Sequence, residues 1–251
     1  GGKPVPMATV GQDFETYREH FEHCGIPLTH VKVVPDLYTA QAFITTDLDD
    51  NQITAFHPGA MMRSFENHVK DVPDVGFGIV GPDSYEAMLQ NCREFSESDI
   101  PFIFDPGQAM PLFNGDELKQ MIEQATYVTV NDYESLLMSD KTGLSTAEIS
   151  IHVQGYIITR GDKGSEIHTA SGMLQIPAAN AIRVVDPTGC GDAYRAGLIF
   201  GLMKGMDMAT AGRIASLMGA LKIEHLGPQN QRFSYAQFAM QFKQQFGYAL
   251  D

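Results

Sequence analysis

Short β-rich apolar runs alternate along the chain with stretches whose apolar residues recur at helical spacing. That alternation predicts an α/β fold with a mostly parallel central sheet covered by helices. Val5–Val10, Phe77–Val80, Phe102–Phe104, Tyr127–Val130, Tyr156–Thr159 and Ile182–Val185 read as strands. Helical spacing covers Phe14–His23, Ser84–Phe95, Gly115–Gln124, Asp132–Met138, Ala193–Met203, Met208–His225 and Tyr235–Phe246. One segment breaks the rhythm. Tyr38–Thr46 and Gln52–Phe56 are β-rich runs joined by the turn-forming Leu48-Asp49-Asp50-Asn51, so they read as a hairpin leaving the main body. So few strands need another layer to bury an apolar face, which substrate, further strands or a second copy of the chain would supply. The expected division is a large body of residues 1–35 and 58–251 and a small β lid of residues 36–57.

The densest chemistry follows the last strand candidate, where Asp186-Pro187-Thr188-Gly189-Cys190-Gly191-Asp192 bends into a helix. Unpaired backbone N–H groups of Gly189, Cys190 and Gly191 at that helix start, together with the macrodipole, would favour a phosphoryl group. Glycines there permit close backbone approach. Asp192, in the first turn, would accept a hydroxyl proton as a general base in concert with phosphoryl departure. The same dipole predicts a thiolate-prone Cys190. A helix start with an incidental Gly-x-Gly is the plain alternative. The chain has no Gly-x-x-x-x-Gly-Lys-Ser/Thr loop, so the amides of residues 189–191 would take over much of what a P-loop lysine does.

Other candidates follow strands at their carboxyl ends, the ligand side of an open α/β sheet. Asn131 and Glu134 have the spacing of a capping box, which does not exclude contact with a metal or phosphate. Asp105 and Gln108 follow Phe102–Phe104. Thr159-Arg160-Gly161-Asp162-Lys163-Gly164 reads, on its residues alone, as a turn leading into a partner run at Ser165–Thr169. Phe43 and Phe56, on the two hairpin strands, read as lid core. Gly76-Phe-Gly-Ile-Val-Gly81 has the letters of a dinucleotide fingerprint, but it lies inside the strand rather than after it. His20 and His23 share a helix without a further ligand cluster and read as a solvated face.

Charge and cysteine content narrow the classes. With 17 Lys+Arg against 31 Asp+Glu, the net charge is −14 and the basic residues are scattered, which argues against nucleic-acid or anionic-membrane partners. No run of apolar residues is long enough for a membrane span. Cys24, Cys92 and Cys190 are odd in number and widely spaced, which fits neither a disulfide framework nor a zinc site and points to a reducing cytoplasm.

Asp186–Asp192 resembles the C-terminal signature of the ribokinase-like, phosphofructokinase-B type kinases. Asn51–Met61, Asp105-Pro-Gly-Gln108, Asn131-Asp-Tyr-Glu134, Thr159–Gly164 and Gly227-Pro-Gln229 extend the likeness in the family's order, and within it the chain is most similar to the bacterial adenosine kinases. The resemblance implies a ribokinase-like fold and ATP- and Mg²⁺-dependent phosphorylation of a nucleoside, adenosine at its 5′-hydroxyl. A monovalent cation and a homodimer through the lid sheet are further features it leaves open. It places Thr159, Gly161, Gly164 and Asn131 at the nucleotide, Glu134 at the Mg²⁺, Phe43 and Phe56 around a purine ring with Gln108 beside it, and Ala209–Leu221 as an adenine wall. It also implies an upstream segment bearing a first strand, an Asp for the sugar hydroxyls and a Gly-Gly stretch, because the chain opens at Gly1-Gly2-Lys3 without a Met. A sugar kinase of the ribokinase or fructokinase type and a non-catalytic or truncated nucleoside-binding protein are the alternatives.

Overall fold

The computed structural model describes residues 2–46 and 52–250. The chain begins with β1 (Ala8–Val10), α1 (Glu15–His23) and β2 (Val31–Val33), the two strands pairing in parallel. β3 (Gln41–Thr46) and β4 (Gln52–His57) then form the antiparallel lid hairpin, whose Leu48–Asn51 turn lies outside the described residues. The main body runs β5 (Gly78–Val80), α2 (Tyr85–Glu97), β6 (Phe102–Phe104), α3 (Gly115–Gln124), β7 (Tyr127–Asn131), α4 (Asp132–Thr142), α5 (Thr146–His152), β8 (Gly155–Thr159), β9 (Ser165–Thr169), β10 (Gly172–Ile176), α6 (Cys190–Met203), α7 (Met208–Ile223) and α8 (Tyr235–Phe246).

Its sheet is ordered β10-β9-β8-β7-β6-β5, parallel from β5 to β8 and antiparallel from β8 to β10. β6 shows why such strands are apolar throughout. Phe102 and Phe104 bury among Met88, Leu118, Met121 and Ile122 of α2 and α3, while Ile103 points the other way into Ile157, Ile167, Leu198 and Ala215. A strand covered on both faces has no polar side to show.

α6 and α7 cross closely. A Cβ added at Gly197 or Gly201 would come within 2.8 Å of Ala215 or 2.7 Å of Ala211. Helix packing therefore accounts for much of the small-residue run Ala209–Leu221.

The pattern misleads at the edges. Ile182–Val185 is not a strand: Ile182 is 90% and Val184 76% exposed, and among the described residues the segment bonds to the C-terminal end of α7, the Ile182 amide donating to Glu224 Oε1 at 2.7 Å and the Val185 amide to the Ile223 carbonyl at 2.8 Å. β-propensity without a neighbouring strand makes no strand. β1 starts only at Ala8 because Pro4 and Pro6 lack ladder donors. The strands β2 and β10 and the short helix α5 were not anticipated. Gly78 lies within β5, where a Cβ would strike the Phe95 ring, so this glycine serves packing.

Candidate active site

Asp186 organises the approach to α6. Its carboxylate accepts from the Thr188 amide at 2.8 Å and from the Gly227 amide at 2.8 Å, and these two bonds hold it down to about 2. Gly189 follows at φ 81° as the helix N-cap, a left-handed conformation suited to glycine, and a Cβ there would also lie 2.8 Å from Pro228 Cβ. The bend is thus shaped by the chain's own Gly227-Pro228 turn.

No side chain caps α6. Of the three amides expected to be free, Cys190's is not, because it donates to the Pro187 carbonyl at 3.1 Å. The Gly189 and Gly191 amides have no acceptor among the described residues. Asp192 stands exposed in the first turn. Cys190 also departs from expectation: it is half-buried, and burial raises its thiol above the ordinary range, with Asp186 and Asp192 adding to the rise and Lys222 opposing it. Desolvation is the largest of these effects.

Behind Asp192 lies an ion pair that connects the helix to the sheet. Asp105, at the carboxyl end of β6, is buried, and Arg195 Nη2 donates to its Oδ1 at 2.8 Å. Burial pushes Asp105 up to about 6 against the pull of Arg195, and the charges of Glu134 and Asp192 push in the same direction as burial. Asp105, Glu134, Asp192 and Arg195 thus share one electrostatic neighbourhood. Arg195 was not singled out in the sequence, although it stands three residues after Asp192 on the same helix.

Asn131 and Glu134 form the full capping box of α4: Asn131 Oδ1 accepts from the Glu134 amide at 2.7 Å, and Glu134 Oε2 accepts from the Asn131 amide at 2.8 Å. The other Glu134 oxygen is not used by the box. Thr159 is Asn131's register partner across β7 and β8, so the two candidates are neighbours. Beyond it the chain turns through Gly161 (φ 57°) and Gly164 (φ 83°) into the antiparallel β9, which is the hairpin turn that the residues alone suggested. A Cβ on Gly164 would lie 2.1 Å from the Ile176 carbonyl oxygen, whereas nothing lies within 4 Å of one on Gly161. Gly164 is therefore required by packing against β10, whereas the Cβ side of Gly161 is open. Gln108 is exposed after β6.

The lid requires a correction. Ala42 pairs with Phe56 and Phe43 with Ala55, so Phe43 and Phe56 project from opposite faces of the hairpin and cannot enclose one ring between them. Each face carries exposed apolar bulk, Phe43 (61%) with Ile53 on one and Phe56 (53%) with Ile44 on the other. Among the described residues no group of three or more His, Cys, Asp or Glu could hold a metal ion, and no helix is long and apolar enough to cross a membrane. His20 instead contacts Gln229 Oε1 through Nε2 at 2.6 Å.

Residues 1–233 match the pfkB family of carbohydrate kinases. The chain belongs to that family. A solved structure of nucleoside kinase from Burkholderia thailandensis in complex with inosine superimposes with a TM-score of 0.96 at 52% identity, covering 100% of this chain and 83% of that one. A second structure of the same enzyme, in complex with ADP-inosine, gives 0.95 at 52% identity over 99% and 78%. The nucleoside kinase of Methanocaldococcus jannaschii is 30% identical over 229 residues, 89% of this chain and 74% of that protein. The fold of this kinase is therefore the ribokinase fold, with β3 and β4 as its lid element.

Proposed function

We propose that this kinase transfers the γ-phosphoryl group of ATP to the 5′-hydroxyl of a purine nucleoside. Adenosine is the acceptor implied by the sequence resemblance, and inosine is the ligand of the Burkholderia enzyme. The observation that carries the reading is the start of α6, where Asp192 and the free Gly189 and Gly191 amides stand together in a chain matched throughout to a nucleoside kinase. Asp192 takes the hydroxyl proton as the new oxygen–phosphorus bond forms, and the bond from the γ-phosphorus to the β,γ-bridging oxygen breaks to leave ADP. The two amides and the helix dipole stabilise the charge on the transferring group. Arg195, already paired with Asp105, opposes the rise that burial imposes on that carboxyl within a net-acidic site.

Mg²⁺ fits the residues present. Glu134 has a carboxylate oxygen outside its capping bond, the exposed Asp192 shares with it an influence on Asp105, and a cation that keeps waters and binds substrate phosphates needs only one or two carboxylates. Its contribution when bound is to neutralise charge on the phosphate oxygens. Asn131, Thr159 and Gly161 line the neighbouring strand ends and support a nucleotide position there. The two exposed apolar faces of the lid support a role in which one covers the nucleoside and the other meets a second copy of the chain.

The test is a rate comparison with ATP across adenosine, inosine, ribose and fructose. A kcat/KM for the purine nucleosides at least about a hundredfold above that for the sugars is expected, since a site built to hold a base rejects an acceptor without one. Preference for ribose would replace this reading with that of a sugar kinase.

A further inference from the structure

Lys222 is the only lysine or arginine that is buried among the described residues, and it is buried completely, at 0% exposure in the last turn of α7. Full burial of an ammonium group is costly unless its protons are all answered by oxygens, and a leucine or methionine would pack the same space without that cost. Its position shows what it is used for. Nζ donates to the Asp186 carbonyl at 2.7 Å and to the His225 carbonyl at 3.2 Å, and the Asp186 carboxylate lies 4.0 Å away.

These oxygens belong to the two segments that build the bend before α6. Asp186 opens the bend, and His225 leads into the Gly227-Pro228 turn on which Gly189 rests. The Asp186 carboxylate already links the same segments through the Thr188 and Gly227 amides. The ammonium thus fastens the bend from beneath, on the side away from solvent, and its charge reaches the N-terminus of α6, where it acts on Cys190.

A bound monovalent cation would need such carbonyl and carboxylate oxygens gathered around one buried point. Here the Asp186 and His225 carbonyls are taken by Nζ, and a cation would have to displace a lysine or stand against its charge. The donor set does not fit a monovalent cation at this point.

We propose that Lys222 is a positioning residue of the phosphoryl-transfer site, a built-in cation that holds the Gly189–Gly191 bend in place and makes a bound monovalent cation beneath it unnecessary. The proposal rests on the kinase reading of the α6 start and not on the identity of the acceptor.

The experiment measures turnover with the best acceptor, whichever that proves to be, in potassium, sodium and tetramethylammonium buffers, for the wild-type kinase and for Lys222→Met and Lys222→Ala. Wild-type rates are expected to be equal in the three buffers. Lys222→Met should lower kcat at least about tenfold with little change in acceptor KM, since an oxyanion-stabilising group is displaced while the acceptor site is not. Lys222→Ala, which leaves space, should be partly restored by potassium or ammonium but not by tetramethylammonium, and Lys222→Met should not be. Strong potassium activation of the wild type would overturn the proposal, and that measurement requires no variant to fold. A folded Lys222→Met enzyme with unaltered kcat would overturn it equally. Absence of nucleoside turnover in the wild type, with transfer to a sugar retained, would refute the proposed acceptor and leave this test intact.

Discussion

Arg195 on α6 donates to the buried Asp105 at the end of β6, a contact across 90 positions of sequence that connects the helix carrying Asp192 to the carboxyl edge of the sheet. Breaking a buried pair strands one charge. In the fold Asp105 binds its proton more tightly than an ordinary carboxyl, up to about 6, so its contribution to stability is greatest at low pH and declines as pH rises from its usual range, near 4, through 6. Arg195 limits that decline. Arg195→Met should therefore destabilise by about 3 kcal/mol at roughly pH 8 and by clearly less at roughly pH 5, as measured by urea unfolding at both values. An equal loss at the two pH values would show that the pair is not what ties Asp105 down.

Asp192 stands exposed at the mouth of the bend with no competing side-chain bond among the described residues. Asp192→Asn should lower kcat by at least ~10²-fold while leaving ATP affinity nearly unchanged. Near-normal single-turnover rates in the variant would remove it as the base.

Glu134 serves the α4 cap, so the choice of substitution matters. Gln also completes a capping box, so Glu134→Gln should keep the melting temperature while raising the Mg²⁺ concentration for half-maximal rate. Glu134→Ala should do both, costing about 1 kcal/mol of stability in addition. If Glu134→Gln leaves the Mg²⁺ response unchanged, the residue is a cap alone.

Cysteine reactivity should follow burial rather than the helix dipole. Cys24 is exposed, Cys190 is half-buried with its thiol raised, and Cys92 is fully buried and raised further. A disulfide reagent should label them in that order, with Cys190 slow at neutral pH and faster as pH rises. Rapid labelling of Cys190 near neutral pH would mean that its thiolate is favoured after all.

The lid should show a division of labour. Because Phe43 and Phe56 lie on opposite faces, one of Phe43→Ala and Phe56→Ala should raise nucleoside KM, by roughly ten- to hundredfold if a base stacks there, and the other should leave KM alone and weaken self-association in sedimentation. Equal KM effects for both would mean that the two rings meet one ligand.

Much of this protein is legible one element at a time. The apolar runs at Phe102–Phe104, Tyr127–Val130 and Tyr156–Thr159 became β6, β7 and β8, and the Asn131 and Glu134 spacing became a capping box, because strand burial and helix capping are decided within a few residues. The glycine-rich bend and the place of Asp192 in the first turn of α6 were readable for the same reason. What required the tertiary structure joins residues far apart or depends on register. Ile182–Val185 has strand-like residues but no strand beside it. The faces of Phe43 and Phe56 depend on how β3 pairs with β4, and a one-residue slip would exchange them. Arg195 with Asp105, and Lys222 beneath the Asp186 carbonyl, carry no local signature, since a buried charge is explained only by the partner that the fold brings to it.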